Sequence, residues 1–169
     1  VLMPGSRVTE TKRLLPVFRD TLALLQPDVP GLVPVVAAAS GIAEAVAAHM
    51  ADWPVRPIIV RDVSERYDAF AAARAALTKS GTSTLELAMA GVPMAVTYRV
   101  NPLSAMMARR LIKVPHVAMI NLLAKRALVP ELLQEDCAPA RLAQTVRGLL
   151  TDAAEAAAQR AGFTAALAS

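Results

Sequence analysis

Ala75-Ala76-Leu77-Thr78-Lys79-Ser80-Gly81-Thr82-Ser83-Thr84-Leu85-Glu86-Leu87-Ala88-Met89-Ala90-Gly91-Val92-Pro93-Met94-Ala95-Val96-Thr97-Tyr98 is the stretch on which the fold turns. Ala75 to Thr78 reads as a short buried strand and Ser80 to Thr82 as a glycine-bearing turn. Leu85 to Ala90 reads as a helix that Gly91 and Pro93 close, and Met94 to Tyr98 as the next strand. Strand, turn, helix and strand make a right-handed βαβ unit with parallel strands. The same order leaves backbone N–H groups unpaired at a helix start, where an anion can sit. Ser80, Thr82, Ser83 and Thr84 add hydroxyls that suit a helix cap or a phosphate. Glu86, in the first helical turn, suits hydroxyl donors such as those of a ribose. The stretch is not a GxGxxG, and alone it is equally well a helix N-cap with a favourable first-turn acid.

Working outward, the alternation continues. Val1-Leu2-Met3 reads as the tail of a strand, and the expectation is that further sequence precedes it. Pro4-Gly5-Ser6-Arg7 is the turn that follows. Thr9 is placed to cap a helix carrying Leu14, Leu15, Phe18, Leu22 and Leu25 at helical spacing. Leu32 to Ala38 and Pro57 to Val60 read as strands, with helices from Ser40 to Ala51 and from Ser64 to Ala73. Arg61-Asp62-Val63 is the loop between the second of these strands and its helix. Beyond Tyr98 come a loop from Arg99, a helix from Leu103 to Lys113, a last strand from His116 to Ile120, and Asn121 leaving its carboxyl end. Val129 to Gln134 and Pro139 to Ala168 read as helical, the latter broken near Thr151-Asp152. The fold expected is α/β, a Rossmann-like parallel sheet covered on both faces. Residues 1–152 form the domain and 153–169 a helical tail. In such sheets ligands bind beyond the carboxyl ends of the strands, where the loops named above converge.

Composition narrows the classes. The 169 residues suit one domain or half of a two-domain enzyme. Cys137 is the one cysteine, so the sequence has neither an intrachain disulfide nor a cysteine metal cluster, in keeping with a reducing cytoplasm. A net charge of +4 favours an anionic partner. Aromatics at 4% without basic–aromatic interleaving argue against a nucleic-acid stacking platform. No run approaches the ~20 apolar residues of a membrane span.

Six motifs in order then resemble one family. They are Pro4-Gly5-Ser6-Arg7 with Glu10, Ser80-Gly81-Thr82 with Leu85-Glu86, and Pro93-Met94 leading to Tyr98-Arg99. Ala108-Arg109-Arg110-Leu111 with Lys113, Asn121-Leu122-Leu123-Ala124, and Val129-Pro130-Glu131-Leu132-Leu133-Gln134 complete the set. From residue 2 to about 150 the chain resembles the carboxyl-terminal half of the lipid-A-disaccharide synthases. The resemblance implies a GT-B glycosyltransferase that transfers 2,3-diacylglucosamine from UDP to 2,3-diacylglucosamine 1-phosphate with inversion. This chain would be the donor-binding half, inactive alone, with the general base on an amino-terminal half.

Carried over by the resemblance, Gly5, Ser6 and Arg7 meet the diphosphate, Arg7 stabilising it as it leaves. Gly81 and Thr82, flanked by Ser80 and Ser83, offer it backbone N–H groups. Glu86 takes the ribose hydroxyls, and Arg61, Asp62 and Val63 border the uracil. Arg99 becomes a phosphate or sugar contact, and Asn121 a sugar contact with a share in catalysis, or else a loop brace. No cofactor and no metal are expected, the UDP-sugar being substrate. The implied location is cytoplasmic, peripheral on the inner face of the bacterial inner membrane, with room for a homodimer and no nucleic acid. The resemblance has departures: Lys125 stands where glycine is common, Lys79 where a small residue is usual, and Met119-Ile120 where Leu-Pro is.

Met106 and Met107, edged by Arg109, Arg110 and Lys113 and followed by Lys125 and Arg126, read first as a helix packed on its neighbours with a solvated charged edge, and otherwise suit an anionic membrane surface. The alternatives are another nucleotide-sugar transferase or epimerase half of the same architecture, and a non-catalytic membrane-binding module.

Overall fold

The computed structural model describes residues 1–101 and 115–168. The expected helix from Leu103 to Lys113, with Met106, Met107, Arg109, Arg110 and Lys113, lies outside them. The strands are β1 (Leu2–Met3), β2 (Val35–Ala37), β3 (Ile58–Val60), β4 (Ala76–Lys79), β5 (Met94–Tyr98) and β6 (Glu131–Leu133). The helices are α1 (Val8–Leu25), α2 (Ala43–Met50), α3 (Val63–Ala72), α4 (Ser83–Met89), α5 (Met119–Ala124), α6 (Pro139–Thr151) and α7 (Ala153–Leu167).

All pairings are parallel, in the order β3-β2-β1-β4-β5-β6. The fold is therefore α/β and Rossmann-like, as the alternating pattern predicts. Period two along each strand divides the core. Leu77 and Ala95 pack with Phe18 of α1, Val46 of α2 and Leu142 of α6. Ala76, Met94 and Val96 face the other way, onto Phe70 of α3, Leu87 of α4, Ile120 of α5 and Phe163 of α7. The tail is thus a layer of this domain: buried Gln159 of α7 accepts from the Met94 N–H at 2.8 Å and donates to the Met94 carbonyl at 3.2 Å. Asp152, where the helical run breaks, caps α7 by accepting from Ala154 and Glu155 N–H.

Three local expectations are corrected. Helix α1 begins at Val8 with Arg7 at the cap position and no side-chain cap, so Thr9 sits inside the first turn. The run His116 to Ile120 is not a strand: Met119–Ala124 is helical, with Ile120 and Asn121 buried and Met119, Leu122 and Leu123 exposed. The sixth strand comes from Val129 to Gln134, read as helical. There the Pro130 carbonyl accepts from Val96 N–H, and Leu132 alone of β6 is buried. A two-sided apolar run does not say which segment takes the sheet edge; pairing to β5 does. At Lys125 the backbone is the one glycine would take, φ 52° and ψ 29°, so the lysine absorbs the left-handed strain and the turn keeps its course.

Candidate nucleotide-sugar site

The chain reverses the direction of sheet growth between β1 and β4, which are bonded neighbours through Leu2–Leu77 and Met3–Thr78. A crevice forms where strand order reverses, beyond the carboxyl ends of the strands. The Pro4–Arg7 turn after β1 and the Ser80–Thr82 turn after β4 are its lips. Between them lies a cleft of about 260 Å³ whose lining includes Gly5, Ser6, Arg7, Gly81, Thr82 and Glu86. Motifs about 75 residues apart in sequence therefore meet.

Gly5 has φ 107°, a conformation that favours glycine, and a Cβ there would stand 3.0 Å from Glu10 Oε2. At Gly81 nothing lies within 4 Å of a Cβ position, leaving its backbone open to the cleft. Arg7 reaches Glu10 Oε1 at 3.4 Å with its side chain 78% exposed, so most of its guanidinium faces solvent. Of the hydroxyls, Ser80 donates to the Val117 carbonyl (2.7 Å) and Thr84 to the Gly81 carbonyl (2.8 Å). Ser83 bonds Thr78 (3.2 Å). These three brace the turn, and α4 carries no side-chain cap. Thr82 is exposed on the rim.

Glu86 faces the cleft from the α4 side and pairs with Arg66 of α3, Nη2 to Oε1 at 3.5 Å. On the α1 side, Lys79 Nζ lies 3.1 Å from Glu10 Oε1 and 5.2 Å over the Tyr98 ring. Among the described residues, two buried side-chain polar atoms lack a hydrogen-bond partner, Glu10 Oε2 and Arg66 Nε. Both belong to this cleft. Unsatisfied buried groups are costly and uncommon, and they gather where a protein keeps polarity for a purpose.

The remaining candidates sit elsewhere. Arg61, Asp62 and Val63 are exposed at the end of β3, two strands from the crevice; they lead into α3, which carries Arg66 to the lining. Arg99 is exposed beyond β5, near enough to Cys137 for its charge to act on that thiol. Burial nonetheless pushes the thiol upward, against Arg99 and the Thr97 hydrogen bond, so it stays protonated. Asn121 is fully buried and outside the lining. Its Nδ2 donates to the Val129 carbonyl and Glu131, and its Oδ1 accepts from Leu128 and Val129 N–H. With both ends engaged, it braces the loop between α5 and β6, and the sugar contact given as its other role has no free atom here. No group of three or more His, Cys, Asp or Glu side chains able to hold a metal occurs among the described residues.

Sequence reasoning missed Arg66, which looks like any charged residue of a half-exposed helix. It also missed Glu131, which accepts from Val117 N–H, Ala118 N–H and Asn121, anchoring the start of α5. Glu131 lay within a quoted motif, but as a helical residue.

The family model described as lipid-A-disaccharide synthetase matches residues 1–167. The chain belongs to that family. Its relatives in it include lipid-A-disaccharide synthases from Granulibacter bethesdensis, 60% identical over 153 residues, and Gluconobacter oxydans, 59% identical over 163 residues. The first alignment covers 90% of this chain and the second 96%, each taking in 39% of the relative. The Rhodospirillum centenum synthase is 45% identical over 163 residues, 96% of this chain and 41% of that protein. The chain thus spans about two fifths of the length of the curated relatives it matches.

Proposed function

We propose that this chain is the donor-binding part of an inverting glycosyltransferase that moves 2,3-diacylglucosamine from UDP to 2,3-diacylglucosamine 1-phosphate. What carries the proposal is one switch-point cleft in which two glycine turns meet Arg7 and Lys79 with Glu10 on one side, and the ribose-competent Glu86 with Arg66 on the other. The diphosphate lies between the Gly5–Arg7 and Gly81–Thr82 turns, and Glu86 accepts from the ribose hydroxyls. As the sugar becomes oxocarbenium-like, negative charge grows on the departing diphosphate. Donors that reach it strengthen in the transition state, which is the contribution proposed for Arg7 and the Gly81 backbone. A base must take the acceptor hydroxyl's proton, and none is assigned in this chain. The Arg61–Val63 loop borders the base of the nucleotide, and Arg99 serves the sugar side.

Calorimetric titration of UDP into the chain, with GDP, CDP and TDP as competitors, tests this. Saturable UDP binding that the others displace only weakly is the expected result. Preference for another nucleotide would assign a different donor, and no binding to the folded chain would overturn the reading.

Acylated substrates call for membrane contact. No helix among the described residues is long and apolar enough to cross a bilayer. Met119, Leu122 and Leu123 are exposed on α5, with exposed Lys125 and Arg126 just beyond. An apolar face edged by cations suits an anionic leaflet, each basic residue contributing about 1 kcal/mol. Co-sedimentation with vesicles rich in anionic lipid should fall at least severalfold in the Lys125→Gln/Arg126→Gln double variant. Unchanged partitioning would remove this face from the membrane account.

A further inference from the structure

We infer that Lys79 is a phosphate-side cation of the cleft, held by Glu10 in this structure and handed to the diphosphate when a nucleotide binds. The inference rests on the donor-site proposal above. Lys79 ends β4, immediately before the Ser80-Gly81 turn, and period two puts it on the same face of the sheet as Leu77, toward α1. Its side chain is only 19% exposed, and it lines the same cleft as Arg7 and Gly81.

The bonding around it is lopsided. Lys79 and Arg7 both approach one oxygen of Glu10, Oε1, at 3.1 and 3.4 Å, while Oε2 lies buried against Gly5 without a donor. An ammonium has three N–H donors to place. Here the ammonium meets Glu10 Oε1 as an ion pair, and the Tyr98 ring face lies 5.2 Å away as a weak second partner. Three cations, Arg7, Arg66 and Lys79, line the cleft against two carboxylates, Glu10 and Glu86, leaving one net positive charge before any ligand charge is counted.

A diphosphate between the two turns offers Lys79 several anionic oxygens, and the lysine stem is long enough to turn from Glu10 toward them. Glu10 then has two effects. It keeps the ammonium beside the turn, and it competes with the incoming phosphate for it. The competition depends on the Glu10 charge, which Glu10→Gln removes while keeping the side chain's shape, so the two charges are expected to act on phosphate affinity with opposite signs.

The experiment compares UDP with uridine, which lacks the phosphates, on the 169-residue chain. Wild type, Lys79→Met, Lys79→Arg and Glu10→Gln are titrated calorimetrically, with thermal melts to confirm folding. Lys79→Met should weaken UDP about tenfold or more and leave uridine nearly unchanged, since a charge-assisted hydrogen bond is lost. Lys79→Arg should keep the UDP-to-uridine ratio near wild type, and Glu10→Gln should tighten UDP severalfold. UDP binding unaltered by Lys79→Met, or UDP and uridine weakened alike, would overturn the inference while leaving the donor site standing. Absence of UDP binding in the folded wild type would bring down both.

Discussion

Asn121→Ala is expected to lower stability by about 3–5 kcal/mol, and the melting temperature by roughly 10 °C. Four hydrogen bonds of 2.8–2.9 Å end on this one side chain. Truncation leaves the N–H and the carbonyl of Val129 without their partner, while Leu128 N–H keeps its bond to the Arg126 carbonyl; Val129 is only 2% exposed, so water cannot replace the lost amide. Each such orphan costs about 1–3 kcal/mol, more than a hydrogen bond contributes on balance. Asn121→Asp should do no better, because it removes the donor and sets a second carboxylate beside Glu131. Circular-dichroism melts give the answer. A shift of only a degree or two would mean that the loop repacks and the network is unimportant. The same variant separates brace from sugar contact: well below its melting temperature it should bind UDP as the wild type does.

The second large effect is at the nucleotide. Glu86→Ala and Arg7→Ala should each weaken UDP by roughly 10- to 100-fold, the range for hydrogen bonds to a charged group. They should differ in kind. Glu86 is proposed to hold the ribose, so its loss should weaken uridine as well, and it strands Arg66, whose Nε already lacks a partner. Arg7 is proposed to hold the phosphates, so uridine should hardly notice its loss. Both side chains lie at the cleft surface rather than in the core, and the melts of both variants should stay close to wild type. UDP binding at wild-type strength in either variant would detach that residue from the site.

Much of this could be read from the chain because the relevant signals are local. Leu14, Leu15, Phe18, Leu22 and Leu25 repeat at helical spacing and are all buried in α1, and Met94 to Tyr98 is β5 to the residue. Gly5 and Gly81 punctuate the two turns that parallel topology brings together. What escaped was set by partners distant in sequence. Whether Val117-Ala118-Met119-Ile120 or Glu131-Leu132-Leu133 fills the last place in the sheet depends on β5 and on Glu131 holding the start of α5. Arg66 gains its place only because α3 lies beside α4, and the hydroxyls of Ser80, Ser83 and Thr84 face inward only because Val117, Thr78 and the Gly81 carbonyl are there to receive them. Residue type announces a capacity, and the neighbours decide how it is used.

Because β1 and β4 are bonded directly to each other, the strands that carry the Arg7 and Gly81 turns stand one rung of the sheet apart, about 4.8 Å. Two walls of the cleft are thus set by a ruler, and a ligand cannot pry them apart without breaking backbone pairing. The third wall is different. Helix α3 buries one side chain, Phe70, and otherwise rides on the surface, so few apolar contacts resist its displacement. For the proposed nucleotide, α3 with Arg66 is therefore the wall least held by packing, and the two strand-end turns are the walls most held.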